Sequence, residues 1–413
     1  RTRAQLSMGH DRRADLGPLR KGAGLMNVVI DARWIFKELS GIGMYTREFL
    51  AELARQDDGT MYTLLFNDSD VLARTVKECH LDGVAHMRTE LLPYAVFSPR
   101  NQIALPGFLA RTKADVFHSM NYMIPLRAFP RNRPHRTACV VTIHDVIPLV
   151  FPDFAPRSKK ARVYPIFKRL MVDIGQRADT IITDSQASRN DIIKHMRILS
   201  LDKIQVIHCG VSARFHKPDA AQTPDPNRVR RVLYVGRADP YKNLTLLIRA
   251  FARAREALPF AAELVIAGSP DPRYPEPQAI ASALGISDAV RWTGYISDEA
   301  LLDLYYSADC LAHASRYEGF GLQIAEAMAC GVPVVCSNAA SLPEVAGDAA
   351  LLHDPDDEVG FSESMLTILT EPDRADALRE KGYAQAAKFT WSETVRQTRA
   401  VYAQRAQNES VDE

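Results

Sequence analysis

No cysteine in this chain has a partner at C-x-x-C spacing. The six present, Cys79, Cys139, Cys209, Cys310, Cys330 and Cys336, are scattered and sit mostly in apolar runs. That pattern excludes a disulfide framework or a cysteine zinc site and predicts buried free thiols in a reducing compartment. Long apolar runs are missing too: none reaches the ~18 residues a bilayer span needs, and nothing resembles a secretory h-region. These absences predict a cytoplasmic chain. Excess charge is also lacking. Lys and Arg total 51 against 50 Asp and Glu, a net charge of +1, which argues against wholesale nucleic-acid binding. Internal repeats and low-complexity tracts are absent as well.

What is present is an ordinary globular composition, 46% hydrophobic over 413 residues, enough for two or three domains. Residues 1–25 are basic and poor in large apolar side chains. They read as a flexible or artificially appended extension, with Met26 as the natural start. From there short apolar runs alternate with amphipathic ones: NVVIDARWI, MYTLLF, ADVFHS, ACVVTIH, DTIITD and KIQVIHCGV as strands, and GMYTREFLAELAR as a helix. Such alternation predicts a parallel sheet covered on both faces, over 26–215. A proline-rich stretch at 216–230 reads as a linker. The alternation then restarts over 231–385 with RVLYVG, AELVIAG, VRWTGY, CLAHAS, VPVVCS and AALLHD, with helices begun by Asn243 and Ser297 and one ended by Gly331. Residues 386–413 read as a closing helix. Two open parallel sheets predict a cleft beyond their strand ends.

Four features sit at those ends. In YEGFGLQIAEAMACG, Tyr317 to Gly331, the only charges are Glu318 and Glu326, and none follows until Glu344. A carboxylate in such apolar text must face a cleft or a partner. Gly319 and Gly321 flank Phe320 where a helix opens toward Leu322, a natural anion seat. In GRADPYKN, Arg237 and Lys242 project from a strand-to-helix loop and can meet a diphosphate from two sides. His144 and Asp145 end a buried strand of the first domain. His118 is similarly placed, so a His118, His144 and Asp145 metal site is conceivable, though no ligand spacing supports it. Gly41 and Gly43 precede a helix but make only half of a dinucleotide fingerprint. Asp68-Ser69-Asp70 reads as a solvated turn rather than a metal-binding DxD.

At these residues the sequence resembles the retaining glycosyltransferases of family four, through GRADPYKN, the E-x7-E text EGFGLQIAEAMACGVPVV and SNAASLPEVAGDAALLHDPDD. The resemblance implies the GT-B architecture: two facing Rossmann-like domains, an interdomain cleft and a C-terminal crossover helix. It further implies that Arg237 and Lys242 hold the donor diphosphate, Glu326 the ribose, and Glu318 the transferred sugar, with the amides of Gly319, Phe320, Gly321 and Leu322 nearby. His144 would lie beside that sugar, Gly41 and Gly43 near phosphate or acceptor, and Tyr295 and Ile296 at the base. Neither cofactor nor metal is expected; the nucleotide-diphosphate sugar is a co-substrate. SLPEVAGDAALLHDP and DARWIFKELSGIGMYTRE look most like bacterial envelope-polysaccharide mannosyltransferases. GDP-mannose is therefore the expected donor, a saccharide or lipid-linked saccharide the acceptor, and UDP-sugars an alternative.

Basic residues Arg157, Lys159, Lys160, Arg162, Lys168 and Arg169 could dock on anionic lipid or simply form a solvated helix face. The rival readings are a GT-B epimerase, a hydrolase using Glu318 and Glu326, and a non-catalytic nucleotide-sugar-binding scaffold. A hydrolase leaves the cations idle.

Overall fold

The computed structural model describes residues 20–21, 24–38, 40–131, 135–152, 164–198, 200–219 and 228–408. Two parallel sheets organise them. The first runs Met87–Leu91, Met61–Phe66, Asn27–Asp31, Val116–Ser119, Ala138–Thr142, Thr180–Thr183 and Ile204–Val206 in spatial order; the second runs Val290–Trp292, Ala262–Ala267, Arg230–Val235, Cys310–His313, Val334–Ser337 and Ala350–His353. Numbered along the chain within each sheet, the orders are 3-2-1-4-5-6-7 and 3-2-1-4-5-6, with all pairings parallel. In this doubly wound order a crevice opens beyond the carboxyl ends of strands 1 and 4, where the order reverses.

The strands hold because both faces are covered. Val28, Ile30, Leu64, Val116 and Val140 enter one apolar cluster, while Val29, Leu65, Phe117, Cys139 and Val141 enter another on the opposite face. This is the two-residue period of a strand buried on both sides. The first cluster continues through Ile207, Phe215, Phe389 and Trp391 to Phe320 and Leu311, so apolar packing joins the two domains. The helix Trp391–Asn408 packs on the helix Gly41–Ala54 and on strands 4 and 5 of the first sheet. Its Tyr402 hydroxyl lies 2.5 Å from His118 Nδ1, and Arg399 pairs with Asp58 at 2.5 Å.

Local departures from the sequence reading have physical causes. The DARWI strand stops at Asp31 and turns through Ala32–Trp34, because the buried Arg33 guanidinium folds back onto the Asp31 carboxylate at 2.6 and 2.8 Å. Asn243 does not cap its helix by its side chain. It is left-handed at φ 57, and its amide donates to the Pro355 carbonyl at 2.7 Å. Asp68 is more than a solvated turn: it caps the helix Ser69–Glu78, accepting from the amides of Asp70 and Val71 at 3.0 and 3.1 Å. The edge strand Met87–Leu91 is mostly exposed and carries no apolar signal. Of the extension 1–25, Arg20–Lys21 and Gly24–Leu25 are described and pair antiparallel. Residues 220–227 of the linker, and Arg157, Lys159, Lys160 and Arg162, lie outside the described residues. All six cysteines are free and buried, and among the described residues no helix is long and apolar enough to cross a membrane.

Candidate active site

The reversal point of the second sheet brings two loops together. After strand 1, Arg237 sits beside the Asp239 carboxylate at 3.0 Å and the Tyr241 hydroxyl at 3.4 Å, with its side chain 78% exposed toward solvent. The turn Pro240–Lys242 then aims Lys242 inward. After strand 4, Glu318 is 7% exposed. The Arg316 amide donates to the Tyr241 carbonyl at 2.8 Å, fastening the loops to each other. Lys242 Nζ donates to both Glu318 oxygens at 2.6 and 2.7 Å, and His313 and Ser315 each donate to Oε1 at 2.7 Å. Burial alone would raise this carboxyl, yet the Lys242 ammonium and His313 hold it well below the usual carboxylate range. Glu318 is therefore ionised, with Lys242 as its counter-ion.

The helix Leu322–Ala329 opens directly after this pair. Gly321 takes φ 101, a backbone region that side chains avoid; the Ile324 amide donates to the Gly321 carbonyl at 3.0 Å, while the amides of Leu322 and Gln323 show no acceptor among the described residues. Ser341 pins the loop by donating to the carbonyls of Glu318 and Phe320 at 2.9 and 2.8 Å. Phe320 offers a ligand only its backbone: its ring is buried between His208 and Phe389. Gly319 faces the first domain, where a Cβ would stand 2.8 Å from the His144 carbonyl. That close approach needs glycine.

On the first-domain side, His144 lies two residues beyond the end of strand 5, at the cleft. Its Nδ1 lies 2.6 Å from Asp184 and its Nε2 3.2 Å from the Met120 carbonyl. Burial opposes protonation, but Asp184 prevails and its affinity for a proton is raised. Both ring nitrogens are occupied, so His144 borders the cleft without a free nitrogen. The His118, His144 and Asp145 metal site is overturned by their partners. His118 is bonded to Tyr402 and Thr142, with burial pushing it down to about 3, and Asp145 accepts from the Ile147 amide at 3.0 Å. Gly41 and Gly43 form the first turn of the helix Gly41–Ala54, capped by Ser40, and a Cβ on Gly41 would meet nothing within 4 Å.

Glu326 belongs to a second polar network. It accepts from the Tyr305 hydroxyl at 2.8 Å, and burial pushes it up to about 7 although Tyr305 and Arg214 favour its charge. Arg214, in the segment joining the domains, pairs with Glu48 at 2.5 Å and with Asp298, and Arg47 reaches Asp298 at 3.2 Å. Tyr295 is 83% exposed and Ile296 partly buried, in the loop before the helix Asp298–Ser307. Neither touches the Glu318 cluster among the described residues.

The lobes meet through contacts that no short motif announces. Ser185 and Ser188 donate to the Gly319 carbonyl at 2.7 and 3.1 Å, Tyr317 donates to Asp191 at 2.7 Å, and Glu344 receives the Gln186 amide at 2.9 Å and His208 at 2.7 Å. Only His313 and Ser315, polar residues in the apolar text CLAHAS, left a signal that could have found them. Away from this cleft, Arg131, Lys168, Arg169 and Arg197 line a hollow of about 380 Å³ with Pro165, Val172 and Gln176.

The family description Glycosyltransferase Family 4 matches residues 39–215, and Glycosyl transferases group 1 matches residues 217–385, side by side over the two lobes. The chain is a family-four glycosyltransferase of GT-B architecture. Among curated proteins this glycosyltransferase is 29% identical to O-antigen chain mannosyltransferase B of Escherichia coli, over 91% of this chain and 99% of the relative. It is 33% identical to the MMP alpha-(1->4)-mannosyltransferase of Mycolicibacterium hassiacum, over 57% of this chain and 56% of the relative. Among solved structures it is similar to sucrose-phosphate synthase from Thermosynechococcus elongatus, with TM-score 0.70, 22% identity and coverage of 92% and 98%. Anabaena HepE, solved with UDP and glucose, gives TM-score 0.68, 19% identity and coverage of 92% and 100%. These likenesses carry the fold; the curated relatives carry the glycosyltransferase activity.

Proposed function

We propose that this glycosyltransferase moves mannose from GDP-mannose, with retention, onto a saccharide acceptor carried on a lipid, in bacterial polysaccharide or O-antigen assembly. The observation that carries the reading is the Lys242 ammonium, held on the Glu318 carboxylate at the head of the helix Leu322–Ala329 and across the cleft from His144. A donor diphosphate seated there meets Lys242, Arg237 and the helix amides, so charge growing on the leaving group is neutralised in place. Those fixed positive groups do the work a metal does elsewhere, and transfer is proposed to be metal-independent.

In the step itself, the acceptor hydroxyl oxygen bonds to the anomeric carbon as the bond from that carbon to the phosphate oxygen breaks. The hydroxyl proton passes to the departing diphosphate on the same face. Glu318, with Oε1 already accepting from His313 and Ser315, positions the sugar rather than attacking it. Glu326 takes the ribose hydroxyls, and the Arg131, Lys168, Arg169 and Arg197 hollow meets the anionic membrane that carries the acceptor.

Labelled GDP-mannose, offered with a lipid-linked saccharide and with excess chelator, tests this reading. Transfer with an α-linked product supports it. Transfer from UDP-sugars alone overturns the donor, loss of transfer with chelator overturns metal independence, and nucleotide-sugar binding with no product favours a scaffold.

A further inference from the structure

His313 is wholly buried at the end of strand 4, beside the Lys242 and Glu318 pair. Its ring stacks on Tyr234 with centroids 5.3 Å apart and planes within 9°. The Tyr234 hydroxyl in turn donates to the Arg237 carbonyl at 2.9 Å. His313 Nε2 faces Glu318 Oε1 at 2.7 Å, with Ser315 Oγ and the Gln323 amide each 2.9 Å away, whereas Nδ1 is buried without a partner. The carboxylate can only accept, so the proton belongs on Nε2, and the Gln323 amide then turns its oxygen rather than its nitrogen to the ring. One stack of two rings thus supports both loops of the diphosphate site, one through a carbonyl and the other through a carboxylate.

Glu318 and a diphosphate compete for the same ammonium. If Lys242 alone satisfied the buried carboxylate, turning it toward a donor would leave an unpaired buried charge, at a large cost. His313 and Ser315 remove that conflict, because Oε1 keeps two other donors when Lys242 turns away. We infer that His313 is a positioning residue that holds Glu318 from beneath and so releases Lys242 to the leaving group of the donor. The inference rests on the diphosphate reading above and adds to it the residue that makes Lys242 available.

GDP and UDP binding by calorimetry tests it on the full chain. Leucine or methionine fills the ring's place without a donor, and glutamine keeps a donor near Nε2. His313→Met should bind GDP roughly tenfold more weakly, the worth of one charge-assisted hydrogen bond, and His313→Gln should stay near wild type. Adding Glu318→Gln to His313→Met should erase the loss relative to Glu318→Gln alone, since no charge then detains Lys242; a purely structural residue would not be rescued in this way. Equal GDP binding by wild type and His313→Met overturns the inference, as does a His313→Gln variant as weak as His313→Met or a loss that survives Glu318→Gln. Should His313→Met fail to fold, Ser315→Ala removes a donor from the same oxygen, and unchanged GDP binding there overturns it equally. If the wild-type protein binds neither GDP nor UDP, the diphosphate reading itself falls and this inference with it.

Discussion

Glu326 makes a pH-dependent prediction whose sign can be worked out. Burial holds its carboxyl up at about 7, with Asp298 and Glu48 adding to the rise while Tyr305 and Arg214 oppose it. If ribose hydroxyls donate to this carboxylate, its ionised form is the one that binds. At pH 6 only about a tenth of the molecules present it, and at pH 8 about nine-tenths do. Affinity for GDP-mannose should therefore rise roughly tenfold between those values, with about half a proton released per binding event at pH 7. GDP-mannose is the ligand to use, because its diphosphate has no ionisation in this range. Calorimetry in buffers of different ionisation enthalpy reads both quantities. Glu326→Gln should flatten the profile and abolish the proton release, which separates Glu326 from His144. An affinity indifferent to pH, or a slope that persists in Glu326→Gln, refutes the reasoning.

The same group sets the stability of the free protein with the opposite sign to Glu318. Glu326 binds its proton more tightly when folded, so its contribution is complete below pH 4.5 and is lost as pH rises to about 7, by up to about 3 kcal/mol; denaturation of wild type against Glu326→Gln across that window measures it. Glu318 is depressed, so its contribution is present above 4.5 and is lost as pH falls below that value. Lys242→Met should cost about 1.5–3 kcal/mol, the worth of a charge-assisted hydrogen bond to a carboxylate that still keeps His313 and Ser315, and Glu318→Gln should return most of it; urea unfolding decides, and an unaltered midpoint in Lys242→Met contradicts the ion pair. Gly319→Ala pushes a methyl into the His144 carbonyl and should lower turnover about 10- to 100-fold with little change in melting temperature, whereas unchanged turnover denies that this contact matters. Lys168→Glu with Arg169→Glu should lose binding to anionic vesicles while keeping turnover of a short soluble acceptor; equal vesicle binding removes the hollow from the account.

Much of this was legible because its physics is local. Strand runs such as ACVVTIH and RVLYVG are buried on both faces, so their apolar text is continuous, and loops at strand ends announce themselves by glycine and charge. Gly321 at φ 101 and the Ser297 cap, which accepts from the Ala300 amide at 3.2 Å, are read from neighbours in the chain. The polar wiring was not legible. His144 finds Asp184, Glu318 finds Lys242, and Glu344 caps a helix start in the other lobe, pairs separated by long stretches of chain and joined only by the fold. Lone carboxylates in apolar text flagged that partners must exist without saying which. Of the two carboxylates in that text, Glu318 finds Lys242 and His313, and Glu326 finds Tyr305.

A crystal structure of the protein with GDP bound would test the central claim most directly. The account predicts the diphosphate within hydrogen-bond reach of Lys242, Arg237 and the amides that open the helix Leu322–Ala329, with His313 still on Glu318. A nucleotide seated elsewhere, with Lys242 and Arg237 both out of reach of its phosphates, would contradict it.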